Sequence, residues 1–238
     1  MLTSWPALST AFDGDWVIRL ANGYTKRANS VTCLAADDRD LDTRIDRVEA
    51  IYGARGLPAV FRLSPLASPA LEAALDRRGW RRFDETVVMT CDLDGLSGLT
   101  ADVDHEVRIG TEPDQAWLES CDRIAGSDAA HLATLRQMLA RLVPPAGFGR
   151  IEGEKRIEAL GLVVVDADFA GLFDVLTVAE RRRQGLAGSL VRRLFAWSTV
   201  RGARTAWLSV LAHNQPARGL YQRLGFAEVY RYHHRANR

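Results

Sequence analysis

The chain has 238 residues, with 31 basic and 30 acidic side chains and a formal net charge of +1. That balance excludes a binder of nucleic-acid backbones that relies on excess positive charge. The 47% hydrophobic and 26% charged residues exclude a disordered or fibrous chain and predict a packed globular protein.

Cys33, Cys91 and Cys121 are odd in number and far apart, so they form neither a disulfide framework nor a metal cluster. Residues 1–12 lack the basic-then-apolar pattern of a leader, and no stretch approaches the roughly 20 apolar residues of a membrane span. A soluble protein of the reducing cytoplasm is expected, without nucleic-acid or membrane partners.

In chain order, residues 16–20 and 30–34 read as strands around a turn at Asn22-Gly23, followed by a helix over 38–54 with Ile45, Val48 and Ile51 on one face. A strand over 58–63, a helix opening at Ser68-Pro69 and ending near Gly79, and a strand over 81–92 come next. Residues 93–104 are polar and rich in turn formers, as a linker is. Beyond them the pattern predicts a strand (105–109), helices (113–124 and 129–142), and strands (148–151, 157–165 and 170–178). A helix (185–201), a strand (205–211), a helix (216–224) and a strand (227–232) complete the chain.

The order helix, strand, helix, strand therefore occurs twice. Laying residues 55–79 over 201–225, an offset of 146 without gaps, matches Arg55-Gly56 with Arg201-Gly202, Arg77 with Arg223 and Gly79 with Gly225. We read this as an internal repeat.

The segment Val178-Ala179-Glu180-Arg181-Arg182-Arg183-Gln184-Gly185-Leu186-Ala187-Gly188 joins an apolar strand to an amphipathic helix. Glycines at a helix start let backbone N–H groups approach an anion, and the unpaired first-turn donors with the helix dipole favour a diphosphate there. In a chain this rich in Arg, Gly and Ala the pattern also arises by chance, so its strand-to-helix setting carries the inference. It lacks the Gly-Lys-Ser/Thr of a Walker loop and the Gly-x-Gly-x-x-Gly of a dinucleotide fold.

Arg182-x-x-Gly185-x-Ala187, the strand Trp207-Leu208-Ser209-Val210, then Asn214 and Ala217-x-x-Leu220-Tyr221-x-x-x-Gly225-Phe226 together resemble the GNAT N-acetyltransferase superfamily. The resemblance extends in outline over 105–238. It implies an α/β (α+β) fold, with a mixed, mostly antiparallel sheet flanked by helices. With the repeat, it implies two GNAT-like lobes: a degenerate one over 1–98, a linker over 99–104 and the acetyltransferase domain over 105–238.

It further implies acetyl-CoA as co-substrate. The amides of Arg183, Gln184, Gly185, Leu186, Ala187 and Gly188 would hold the pyrophosphate. The backbone at Leu176 and Val178 would pair with the pantetheine arm as an added strand does, and Asn214 would reach the cofactor with its side chain.

Tyr221 matches the tyrosine that protonates the departing thiolate in many GNAT enzymes, although a lone tyrosine on an amphipathic helix is more often packing. Direct attack needs a neutral amine, which calls for a carboxylate base. Asp174 is the candidate, with Glu158 and Glu180 as rivals and an exposed structural role as the alternative. The histidines show no ligand spacing, and His233-His234 reads as a solvated strand end, so no metal is assigned.

In the first half, Ala36-Asp37-Asp38-Arg39-Asp40-Leu41 falls where Arg182 to Ala187 lie, and Leu75 falls on Tyr221, so anion site and phenol are both missing there. The expected activity is transfer of an acetyl group to a small-molecule or protein amine, with a homodimer as a possible assembly. The alternative is an acyl-CoA-binding sensor or interaction module without turnover.

Overall fold

The computed structural model describes residues 2–94, 105–126 and 128–237. The first half contributes β1 (Ser9–Asp13), β2 (Trp16–Leu20), β3 (Val31–Cys33), α1 (Leu41–Gly53), β4 (Val60–Leu63), α2 (Pro69–Arg77) and β5 (Arg81–Asp92). The second contributes β6 (Arg108–Gly110), α3 (Gln115–Ala125), α4 (Ala129–Leu139), β7 (Ala146–Glu152), β8 (Ile157–Asp166) and β9 (Phe169–Thr177). A single 3₁₀ turn (Ala179–Arg181), α5 (Leu186–Thr199), β10 (Thr205–Leu211), α6 (Gln215–Arg223) and β11 (Ala227–Ala236) follow.

The offset of 146 carries α2 onto α6, residue for residue, and β4 into β10. Local chemistry explains the coincidence. Ser68 and Asn214, one offset apart, each cap the helix that follows by accepting a first-turn N–H, from Ala70 and Ala217 respectively, and a proline lies in each first turn. The matched glycines Gly79 and Gly225, at φ 72° and 86°, end these helices in the left-handed region.

All eleven strands among the described residues form one sheet, in the order β1-β2-β3-β4-β11-β5-β10-β9-β8-β7-β6. Each half has an antiparallel pair leading into a parallel one: β2-β3 then β3-β4, and β8-β9 then β9-β10. The last strands are exchanged. β4 pairs antiparallel with β11 of the second half and β10 with β5 of the first, while β5 and β11 pair at the centre. The predicted linker, 99–104, lies outside the described residues, and the sheet is continuous across the two halves.

Three apolar cores follow from the strand alternation. One packs α1 and α2 on β2 to β4 through Ile45, Val48, Leu71 and Phe61. Another packs α5 and α6 on the second-half strands through Leu190, Leu194, Val163 and Leu208. The third joins α3 and α4 to the opposite face of β7 to β9, and Trp5, Ala21 and Ala28 of the first half are built into it.

Two expectations are corrected. β1 has no counterpart in the predicted elements, because its residues are almost all exposed and show no apolar alternation. His233 and His234 are not a solvated end: β11 runs on to Ala236, and both rings are buried opposite Leu63 and Arg62. Burial pushes the His234 imidazole down to about 4.

Close packing fixes the junction of β9 and β10. A Cβ built on Gly171 would lie 2.7 Å from Cζ2 of Trp207 and 3.0 Å from Cε2 of Phe173. We expect Gly171→Ala to destabilise the protein by about 1–3 kcal/mol through overpacking, read as a lower urea midpoint with an unchanged m value.

Candidate active site

Parallel pairing between β9 and β10 begins at Phe169 with Thr205 and stops at Leu172 with Leu208. Beyond that point residues 173–177 and 209–211 diverge, while β10 stays paired with β5 as far as Leu211. A gap thus opens in the sheet, with backbone groups of β9 on one wall.

The Val178 N–H donates to the Glu158 carbonyl at 2.9 Å. Backbone groups alternate between neighbours in an antiparallel pair. Val178 and, two residues before it, Leu176 therefore turn their N–H groups to β8, and Thr177 faces the gap. Sequence spacing could not settle this, because one residue of register reverses every backbone direction.

The gap leads to the start of α5. Arg183 and Gly185 both adopt left-handed backbone, φ 62° and 85°, and no side chain caps the helix. The first bond into the helix is Ser189 N–H to the Gly185 carbonyl, 3.1 Å, so the Leu186, Ala187 and Gly188 amides precede any intrahelical partner. Arg181 pairs with Glu158 at 3.0 Å and the Arg182 Nε donates to the Thr177 carbonyl at 3.3 Å, while the exposed Arg183 has no ion partner among the described residues. These groups fit a diphosphate: uncapped amides at the positive end of a helix, with free guanidinium charge beside them.

Gln184 donates from its side chain to the Glu180 carbonyl at 3.1 Å, and its own carbonyl accepts from His105 Nε2 at 2.9 Å. With a carbonyl as partner that nitrogen must carry the proton. His105 lies in no motif, and only the folded chain brings it here. Glu158 and Glu180, the rival bases, are held in ion pairs with Arg181 and Arg156.

Leu220 of α6 lies against α5 at Gly188, where a Cβ would meet its Cδ1 at an ordinary contact distance of 3.8 Å. The neighbouring Tyr221 is buried, with its ring edge-on to Phe226 at 5.9 Å, and among the described residues its hydroxyl makes no hydrogen bond. Burial pushes the phenol up to about 12, against an opposing pull from Arg27. Asn214 caps α6, its Oδ1 accepting from Ala217 N–H at 3.2 Å.

Asp174 sits on a β-bulge. Leu160 pairs with Leu176 and Leu162 with Phe173, so Gly161 faces both Asp174 and Val175, and Asp174 takes φ 45°. Such a conformation costs an ordinary residue about 1–2 kcal/mol, and bulges re-aim side chains beside functional sites. The carboxylate lies 3.6 Å from Arg27, and its Oδ2 is buried without a hydrogen-bond partner. Burial raises the carboxyl above its ordinary range, and Arg27 opposes the rise.

In the first half, the matching helix start holds Arg44 among Asp13, Asp15 and Asp37, with its guanidinium 3.9 Å over the Trp16 ring. A carboxylate cluster closed on its own cation leaves no place for a phosphate. A separate groove of 590 Å³ lies at the other end of α5, lined by residues including Pro144, Phe148, Trp197 and Arg201. Among the described residues no three His, Cys, Asp or Glu side chains are grouped to hold a metal ion, and no helix is long and apolar enough to cross a membrane.

A parallel strand pair that splays into an uncapped, glycine-headed helix is the architecture of the GNAT acetyltransferases. The chain belongs to the family described as "Probable histone acetyltransferase Rv0428c C-terminal", whose model matches residues 1–237. It is 28% identical over 236 residues to "Uncharacterized N-acetyltransferase YobR" of Bacillus subtilis, covering 99% of this chain and 95% of that protein. It is also similar to the ribosomal protein bS18 alanine N-acetyltransferase of Escherichia coli, at 37% identity over 74 residues, 31% of this chain and 50% of that one.

Among solved structures it resembles a GCN5-related N-acetyltransferase from Kribbella flavida, with TM-score 0.71 and 18% identity over 97% of this chain and 89% of that one. A tandem GNAT protein from the clavulanic acid biosynthesis pathway matches with TM-score 0.70 and 15% identity, over 98% and 84% of the two chains.

Proposed function

We propose that the protein transfers the acetyl group of acetyl-CoA to a primary amine by direct attack, and that residues 105–238 carry the reaction. The observation that carries this reading is the sheet gap between β9 and β10, which runs into the uncapped start of α5 with Tyr221 on the adjoining helix. Residues 1–98 form a GNAT-like half without a cofactor site of its own, as the closed Arg44 cluster supports.

In this reading the amides of Arg183 to Gly188 hold the pyrophosphate, and Thr177 receives the pantetheine amides in place of a neighbouring strand. Leu176 and Val178 flank that contact with their backbone turned to β8. The Asn214 side chain keeps its amide N–H₂ for the cofactor while its oxygen caps α6. The amine nitrogen bonds to the thioester carbonyl carbon as the carbon–sulfur bond breaks. Asp174 takes the amine proton, and the sulfur leaves with the bonding electrons.

Tyr221 donates to that sulfur. Transfer from a phenol at about 12 to a free thiolate of pKa roughly 8.5 is uphill. Donation is therefore coupled to bond cleavage, and the hydrogen bond to developing charge is the effective part.

The test is titration calorimetry with acetyl-CoA, followed by thiol release over a panel of polyamines, amino acids and peptide amines. Saturable binding with amine-dependent thiol release is expected. Binding without release for any amine would favour the acyl-CoA sensor, and no binding would refute the assignment of the α5 start.

A further inference from the structure

Residues 22–29 of the first half are folded onto the second half's gap. The Asn29 side chain organises them, accepting from the N–H groups of Ala21 and Gly23 at 2.7 and 3.1 Å and donating to the carbonyls of Tyr24 and Thr25 at 2.7 and 3.1 Å. Trp5 Nε1 donates to Thr25 Oγ1 at 3.1 Å, and Arg19, buried beneath, donates to the carbonyls of Arg27 and Trp5. Five side-chain bonds to a short turn, together with Thr25 at φ 50°, describe a rigid support.

What this turn presents is Arg27. Its guanidinium lies 5.2 Å from the Trp5 ring centre and 5.7 Å from that of Phe173, two rings stacked at 5.0 Å, and 3.6 Å from Asp174 Oδ1. No hydrogen bond accompanies the ion pair, and Oδ2 of Asp174 remains without a partner, so the carboxylate keeps its capacity to accept a proton.

We propose that Arg27 is a positioning residue supplied by the first half: its guanidinium charge beside Asp174 favours the ionised carboxylate, fixes its place in the bulge, and so tunes the pH at which it accepts a proton. The inference rests on the reading of Asp174 as the base. It gives the half without a cofactor site a direct part in the other half's chemistry.

The groups around Asp174 leave this role to Arg27. From the same turn comes Tyr24 and from α3 Cys121, both held neutral by burial, with Asp122 of α3 acting on those two groups; Tyr221 of α6 also feels Arg27. Among these groups Arg27 is the one cation. An opposite charge at this range lowers a carboxyl pKa by about 1–3 units.

The experiment is a ¹³C NMR titration of the Asp174 carboxyl carbon in the free protein, assigned with Asp174→Asn, for wild type, Arg27→Met and Arg27→Lys. In Arg27→Met the midpoint should rise by about one pH unit or more, and in Arg27→Lys it should return toward the wild-type value. Arg27→Gln serves as the neutral variant if the methionine chain does not fold. With an amine that the wild type acetylates, the acidic limb of the rate profile should move up with the carboxyl midpoint, while acetyl-CoA affinity stays within a few-fold.

Equal midpoints in wild type and Arg27→Met would overturn the proposal. So would a lysine variant that titrates like the methionine one, which would show packing and not charge at work. Failure of the acetyltransferase reading looks different: the wild type would not bind acetyl-CoA, whatever Asp174 does in the free protein.

Discussion

Gly185→Asp is expected to weaken acetyl-CoA binding by roughly a hundredfold or more in a calorimetric titration. A carboxylate about 5 Å from a phosphate charge costs about 3 kcal/mol at an effective dielectric near 20, which is that factor in affinity. The backbone adds to it, because Gly185 is at φ 85° and an L side chain there must strain or shift the first turn of α5. Gly185→Ala separates the two effects, since it introduces the strain without the charge and should lose far less affinity. Equal losses in both variants would mean that the turn's shape, and not its electrostatics, holds the ligand.

Tyr221→Phe is expected to lower kcat by about a hundredfold or more, the usual scale of a lost general acid, with little change in acetyl-CoA affinity. The substitution suits this site because the ring makes the packing contacts, including Phe226 at 5.9 Å, and the hydroxyl bonds no described residue. Tm should therefore stay close to that of the wild type. A phenol pushed up to about 12 also stays protonated through the range in which such assays are run. A basic limb in the wild-type profile that disappears in Tyr221→Phe would contradict this environment, whereas an undiminished kcat would remove Tyr221 from the chemistry.

Most of the elements were legible because their signals are local. Ser68-Pro69 announces a helix start through side-chain capping, and Gly79 marks a helix end through its positive φ. The exchange of β5 and β11 was not legible. Each strand offers the same backbone groups and a similar alternation to either of two related neighbours, so nothing in its own residues selects between β4 and β10.

The site divides in the same way. The anion loop declares itself through glycine and arginine at a strand–helix junction. The bulge at Asp174, the register that turns Thr177 to the gap, and the arrival of Arg27 from across the molecule depend on tertiary contacts that no local pattern encodes.

The traded strands bear on what the two halves are to each other. Were the backbone cut between β5 and β6, neither piece would own a finished sheet: the first would lack the neighbour that covers β4, and the second the neighbour that covers β10. The cut would be a nick within one folded body, with both fragments still interlocked. The arrangement is that of a strand-swapped dimer written into a single chain, in which each partner closes the other's sheet.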